Sequence, residues 1–313
     1  MKSIIKSLMA ATFAVSGFAA SADTVGVGTM SQGTLSFSTG SVIAKVMNEH
    51  MDIEALVQPN SGESTLIPLV NSGELDFGIA NVLEAAHAAV GEGVFDGRPQ
   101  ENLRIASVLY PLRVAYFVRA DSDIHTMADL KGKKVTWGFS AMGSIDTVAT
   151  AVLANAGLTP DDISPVLVPN VVVGADQFTN GRADAFLFAV GAAKPAEVNA
   201  SVPVRVLPFD DSEAAVASMR AVFPDGYIAI APPLPNFAGV SEPTPVLGYD
   251  NLLLTNGSVS DETIKKVLDG LADNRDALIA GFPLFRGLKP ELFHKEGLVA
   301  PFHPATANWA ANN

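Results

Sequence analysis

Small polar residues gather where apolar segments end and helical patterns begin. They occupy residues 31–34, 61–64 and 140–144, and Asn81 stands at a comparable point. A helix N-terminus offers free N–H groups and the positive end of the helix dipole, and Ser and Thr add hydroxyl donors. These loops therefore indicate binding of a small organic anion, although the same residue types are also ordinary helix caps.

Two larger side chains lie where the halves of the chain meet. Arg113 follows Tyr110-Pro111-Leu112. A guanidinium there could hold a carboxylate through two hydrogen bonds, and a tyrosine ring could line a cleft. A salt bridge for Arg113 and core packing for Tyr110 are the alternative interpretations.

Catalytic and metal motifs are weak. Residues 138–142 read Gly-Phe-Ser-Ala-Met, which lacks the last glycine of a G-x-S-x-G elbow, so an exported esterase using Ser140 with His294 or His303 is the enzymatic alternative. Residues 26–33 contain a G-x-G-x-x-x-x-G spacing, one position too long for a dinucleotide fingerprint. No two of the five histidines have the i, i+4 spacing of a helical metal site. We therefore expect no metal, no cofactor and no catalysis.

The elements that must position these loops alternate between strands and helices. Apolar residues recur at helical spacing over residues 35–50, 82–90 and 145–156, with short apolar strands between such segments. Residues 24–110 and 114–207 share one rhythm of strand, loop and helix. The pattern predicts an α/β protein with largely parallel sheets in two lobes, and ligands bind such sheets beyond the carboxyl ends of the strands.

Composition excludes several functions. The 313 residues include 33 acidic and 20 basic residues but no cysteine. Disulfides, cysteine-ligated metals and a cysteine nucleophile are therefore excluded. A net charge of −13 argues against nucleic acid as a partner, because binding of the phosphate backbone depends on basic residues.

The first 22 residues have the pattern of a secretory signal peptide. Lys2 and Lys6 precede an apolar run over residues 8–20, and the segment closes with Ala20-Ser21-Ala22. The run is shorter than the roughly 20 residues of a membrane span. We expect cleavage after Ala22, a mature net charge of −15 and a periplasmic location.

Several phrases together resemble the TAXI branch of the solute-binding subunits of TRAP (tripartite ATP-independent periplasmic) transporters. They cover nearly the whole mature chain in order: Val27-Gly28-Thr29, Ser72-Gly73-Glu74-Leu75-Asp76-Phe77-Gly78-Ile79, Leu109-Tyr110-Pro111, Asp129-Leu130-Lys131-Gly132-Lys133-Lys134-Val135 and Pro301-Phe302-His303-Pro304-Ala305.

The resemblance implies a two-lobed type II periplasmic-binding-protein (Venus flytrap) fold, with residues 23–112 plus 246–313 in lobe I and residues 113–245 in lobe II. It implies a protein that closes on a small carboxylate such as glutamate, a dicarboxylate or a keto acid, and that delivers it to TRAP membrane subunits. A monomer is the default expectation. The hinge is expected near residues 110–113 and within 228–246. A binding protein of an ABC transporter or of a sensor system is the alternative with the same fold.

The resemblance also implies a set of ligand-binding residues, to which Arg113 is added from its position. The full predicted set is Gln32, Gly33, Thr34, Phe37, Gly62, Ser64, Asn81, Tyr110, Arg113, Ser140, Gly143 and Ser144. The first loop departs from the glycine-rich family pattern, since it reads Met30-Ser31-Gln32-Gly33 and a single ring, Phe37, follows it. The identity of the ligand therefore stays open.

Overall fold

A computed structural model describes residues 24–313 as a mixed α/β structure. The predicted signal peptide and its cleavage after Ala22 lie outside these residues. No helix in the described range is long and apolar enough to cross a membrane.

The bounds of the elements are as follows. The strands are β1 Val25–Met30, β2 Ala55–Asn60, β3 Phe77–Asn81, β4 Leu103–Arg119, β5 Lys134–Trp137, β6 Ser164–Leu167, β7 Ala185–Ala189, β8 Val204–Val206, β9 Tyr227–Ala231 and β10 Thr244–Asn256. The helices are α1 Leu35–His50, α2 Glu63–Ser72, α3 Val82–Val90, α4 Ser144–Asn155, α5 Val171–Thr179, α6 Ala193–Ser201, α7 Glu213–Val222, α8 Asp261–Asp273, α9 Arg275–Gly281 and α10 Pro304–Ala310.

The strands form one continuous sheet whose two ends are the two lobes. The order is β2-β1-β3-β10-β4-β7-β5-β6, with β8 beside β4 and β9 beside β10. Strands β1, β2 and β3 are parallel, as are β5, β6 and β7, whereas β10 and β4 in the middle are antiparallel. The predicted two-lobed α/β architecture is therefore confirmed, with a mixed sheet in place of two separate parallel ones.

Strands β4 and β10 carry the chain between the lobes. They pair from Leu103 opposite Asn256 to Val114 opposite Leu247. The sequence predicts two strands interrupted at Pro111, but β4 runs through it. On β10, Asp250 lies opposite Pro111, and the register of the pairing shifts between Asp250 and Leu252. Sheets tolerate proline at such irregularities. The predicted lobe bounds fall within this crossing and stay a prediction.

Local sequence explains most helix ends. Thr34 accepts a hydrogen bond from the Phe37 N–H and begins α1, and the Ser260 side chain begins α8 in the same way. The sequence predicts one helix over residues 261–280, but the chain breaks at Asn274, whose side-chain amide donates to the Gly270 carbonyl at 2.9 Å. Such a bond between side chain and backbone competes with helix continuation.

Candidate functional site

The two lobes are in direct contact along the loops that the sequence singles out. The Gly143 N–H in lobe II donates to the Ser64 hydroxyl oxygen in lobe I at 2.9 Å. On the other side, the Lys194 N–H donates to the Gly33 carbonyl at 3.0 Å. The backbone of Gly62 lies so close to the Ala141 carbonyl that a side chain at position 62 would overlap it. The structure is therefore a closed form.

A buried carboxylate of lobe I occupies the N-terminus of α4 in lobe II. The Glu84 side chain is fully buried and accepts from the Ser144 N–H at 2.8 Å and from the Ser64 hydroxyl at 2.5 Å. Glu84 is placed there because Asn81 caps α3 by accepting from the Leu83 and Glu84 N–H groups. The chain itself thus supplies the anion that a helix N-terminus favours.

A second buried carboxyl lies beside the first. Glu63, in the first turn of α2, accepts hydrogen bonds from both the backbone and the side-chain amide of Asn81. Burial, with the charge of Glu84 as a second cause, holds the pKa of Glu63 well above its usual range, although the bonds from Asn81 act in the opposite direction. The Asn81 side chain also reaches the Ser144 hydroxyl at 3.4 Å. Asn81 therefore connects the Glu63 carboxyl with the opposite lobe.

Between the lobes lies a cavity of about 50 Å³. That volume holds about two water molecules at most. Lobe I and the crossing strands contribute its polar side, with Met30, Thr34, Leu35, Ser36, Glu63, Asn81, Leu112, Val114, Tyr249 and Asn251. Lobe II contributes an apolar wall of Met142, Ile145, Val171, Leu187, Phe188 and Ala189.

The structure brings together about half of the predicted binding residues. Thr34 and Asn81 line the cavity, and the contacts at its rim involve Gly33, Gly62, Ser64, Gly143 and Ser144.

The other predicted residues do not line the cavity. Gln32 and Ser140 are exposed, and Phe37 is half-buried on α1. Tyr110 packs in the core at 5.5 Å from the Phe285 ring, with its hydroxyl bonded to Thr39. Arg113 donates through Nε to the Ile230 carbonyl at 2.9 Å.

The esterase constellation is not assembled among residues 24–313. His294 packs against the Phe302 ring at 4.4 Å. The His303 side chain caps α10 by accepting from the Ala305 N–H, and its other ring nitrogen lies 3.1 Å from the Val259 carbonyl. Neither histidine bonds to Ser140. Over the same range, no group of three or more His, Asp or Glu side chains is placed to hold a metal ion.

The residues that sequence reasoning missed include Glu63, Tyr249 and Asn251, which line the cavity, and Glu84, which lies behind it. A signal was present for two of them. Glu84 interrupts the apolar run of residues 82–90, and Asn251 interrupts the buried strand at residues 246–254. A polar side chain on a fully buried element requires a partner, which could have directed attention to both positions.

The model of the NMT1-like family matches residues 27–309. The alkanesulfonate-binding protein SsuA of Xanthomonas axonopodis pv. citri, bound to MOPS, superposes with a TM-score of 0.51, at 16% identity over 93% of this chain and 84% of that one. PhnD1 of Prochlorococcus marinus in complex with methylphosphonate superposes with a TM-score of 0.54, at 10% identity over 85% of this chain and 91% of that one. The substrate binding protein of an amino acid ABC transporter superposes with a TM-score of 0.52, at 14% identity over 83% of this chain and 100% of that one.

These similarities confirm the predicted two-lobed periplasmic-binding-protein fold and correct the predicted family. The matching model is that of the NMT1-like family, and the one transporter type named among these three structures is ABC. The TAXI assignment is therefore wrong, and nothing in these comparisons supports TRAP membrane subunits as partners.

Proposed function

The chain belongs to the NMT1-like family, and from this premise we propose that it is the periplasmic solute-binding component of an ABC-type transporter. The observation that carries the proposal is the cavity lined by side chains of both lobes. The similar structures support it, since they are an alkanesulfonate-binding protein, PhnD1 in complex with methylphosphonate and the substrate binding protein of an amino acid ABC transporter. The partners would be a small solute and the membrane subunits of the transporter, with a monomer as the working state.

Solute capture would follow from an equilibrium between open and closed forms. Residues of both lobes contact a solute only in the closed form, so binding shifts the population toward closure. Strands β4 and β10 would act as the hinge because both carry the chain from one lobe to the other. Thr34 and Asn81 would contact the solute, and Ser64, Gly143 and Ser144 would hold the lobes together around it.

The absence of cysteine from the sequence allows a clean test. Lys45→Cys on α1 and Arg182→Cys before β7 are exposed positions on opposite lobes and accept spin labels. After refolding to remove copurified solute, the protein is screened by thermal shift and by inter-label distance. The panel contains amino acids, amines, alkanesulfonates, phosphonates, dicarboxylates and keto acids.

We expect one class of solute to raise the melting temperature and narrow the inter-lobe distance distribution. Labels at Lys45→Cys and Lys265→Cys, both exposed on lobe I, are the matched control and should report an unchanged distance. A panel in which no class moves either readout would contradict the proposal.

A further inference from the structure

The cavity is poor in positive charge. None of its lining residues is Lys, Arg or His. Lys194, at the contact with Gly33, is turned away, since its Nζ pairs with Asp176 at 2.8 Å and with Glu197 at 2.6 Å. An anion enclosed here would lose its hydration without meeting a cation, which is strongly unfavourable.

The helix end that could have replaced a cation is already in use. The carboxylate of Glu84 accepts the first free N–H of α4, and the neighbouring Gly143 N–H donates to Ser64. A carboxylate or sulfonate from a ligand would have to displace Glu84 into a buried space. The part of the argument for an organic anion that rests on the N-terminus of α4 in lobe II therefore does not apply in this structure.

Glu63 instead presents a buried carboxyl that no cation balances. It lines the cavity and is 3% exposed, and its two hydrogen bonds come from the neutral Asn81. Burial and the nearby Glu84 raise the pKa of Glu63, which shows how unfavourable its negative charge is in the empty cavity. A positively charged donor from a ligand would supply the missing partner.

A second, independent feature identifies what must lie beside that donor. Asn251 lines the cavity and is 2% exposed. Its side-chain amide lies beside the Tyr110 hydroxyl, which leaves at least one of its two Nδ2 N–H groups without a partner. It lies opposite Asn81 in the pairing of β10 with β3, and Asn81 holds Glu63. A buried unpaired N–H group is costly, so a ligand acceptor near the carboxyl of Glu63 would be stabilised there.

The opposite wall sets the remaining part of the ligand. The side chains of lobe II that face the cavity are apolar, and the largest of them is Phe188. An aliphatic or aromatic body fits against this wall because polar groups there would find no partner. The cavity volume of about 50 Å³ calls for a small ligand that separates the lobes slightly.

We propose that this site takes a small protonated nitrogen base, with a hydrogen-bond acceptor next to its charged group and an apolar body, and not an organic anion. The cationic nitrogen donates to Glu63, the acceptor receives the Asn251 amide N–H, and the apolar body packs on lobe II. This assignment rests on the proposed solute-binding function and specifies its substrate class.

Three probes with the same four-carbon body test the assignment by titration calorimetry: 2-aminobutanamide, butanamide and butanoate. The first carries an ammonium group and a carbonyl, the second has the carbonyl alone, and the third is the anion. We expect 2-aminobutanamide to bind about tenfold or more tightly than butanamide, because a charge-assisted hydrogen bond is added, and butanoate not to bind.

Glu63→Gln keeps the size of the side chain and should bring the two amides to equal affinity. Asn251→Leu should weaken both amides by a similar factor because both lose the same hydrogen bond. Glu74→Gln changes an exposed glutamate that follows α2 in the same lobe and should leave every affinity unchanged. The ranking of the three probes by the unmodified protein stands as a test even where a variant fails to fold.

Equal binding of the two amides, binding of butanoate at least as tight as that of 2-aminobutanamide, or binding of none of the three would overturn the assignment. Where a sulfonate, phosphonate or dicarboxylate closes the lobes of the spin-labelled protein and 2-aminobutanamide does not, the assignment fails and the solute-binding function stands. Where no solute of any class closes the lobes, the function itself fails.

Discussion

The carboxylate of Glu84 on one lobe accepts a hydrogen bond from the backbone N–H of Ser144 on the other, at 2.8 Å. The Ser64 hydroxyl donates to the same carboxylate and accepts from the Gly143 N–H. These three bonds form one connected group across the closed cleft. They stabilise the closed form through groups of the protein itself, without a bound solute.

Glu84→Gln should shift the equilibrium toward the open form. The amide keeps the size of the side chain but removes the negative charge from the α4 N-terminus, a loss of about 1–2 kcal/mol. The spin labels at positions 45 and 182 should then report a larger fraction of long distances in the absence of solute. Glu74→Gln is the control, and identical distance distributions in the Glu84 variant and the parent would refute the role of this bond.

Gly62→Ala should prevent closure without unfolding the protein. A methyl group at position 62 would overlap the Ala141 carbonyl of the other lobe, and backbone atoms cannot yield as a flexible side chain does. We expect solute affinity to fall at least about tenfold, with the urea midpoint nearly unchanged. Ser61→Ala, at the exposed neighbouring position, should behave like the parent. A Gly62→Ala variant that still closes would show that the loops separate more easily than this contact implies.

Protein stability should depend on the protonation of Glu63. Its pKa in the folded protein lies above the ordinary 4.5, so the folded state binds the proton more tightly than the unfolded state. The stability that Glu63 adds through this proton is fully present at pH values below the ordinary pKa of 4.5. It is lost as the pH rises through the raised pKa of the folded protein. The groups facing Glu63 are the Glu84 carboxylate on α3, the Asn81 amides on β3 and Tyr249 on β10. The pKa of the Tyr249 hydroxyl is itself raised, first by burial and then by the charges of Glu63 and Glu84.

The measurement is the free energy of unfolding across this pH range. We expect Glu63→Gln to remove part of the fall in stability with rising pH, whereas Glu74→Gln should retain the profile of the parent. A parallel profile for Glu63→Gln would mean that Glu63 titrates equally in the folded and unfolded states.

Ser140 should be chemically unreactive. It is exposed, and neither His294 nor His303 bonds to it, so nothing takes up the proton of its hydroxyl. A fluorophosphonate probe should not label the protein, and Ser140→Ala should change the free energy of unfolding by less than about 0.5 kcal/mol. Labelling that disappears in Ser140→Ala would revive the esterase hypothesis.

Local patterns predicted much of the fold because they depend on neighbouring residues. The bounds of α1 at Leu35–His50 and of α3 at Val82–Val90 agree with the predicted helices, since apolar spacing and capping residues are local. The continuity of β4 through Pro111 was not predictable in this way, because it depends on β10, more than a hundred residues away. The helices α6, α7 and α10 were missed because their patterns are short or weak.

The site was predicted in position but not in charge. The loops at Thr34, Ser64 and Ser144 do meet between the lobes, as the carboxyl ends of parallel strands require. Their polarity, however, is decided by Glu63, which lies within one of these loops, and by Glu84, which reaches the cleft through the packing of α3. A sequence read loop by loop shows free helix ends, and only the folded chain shows that one of them is already occupied.

The shared strands β4 and β10 have a consequence for unfolding. Because each belongs to the core of both lobes, neither lobe can melt while the other keeps its central strands intact. The two lobes should therefore lose their structure in one cooperative transition, even if they move as separate bodies in the proposed solute capture. The same pair of strands that would act as the hinge thus prevents partial unfolding, and repeated opening would not expose a half-folded lobe to proteases.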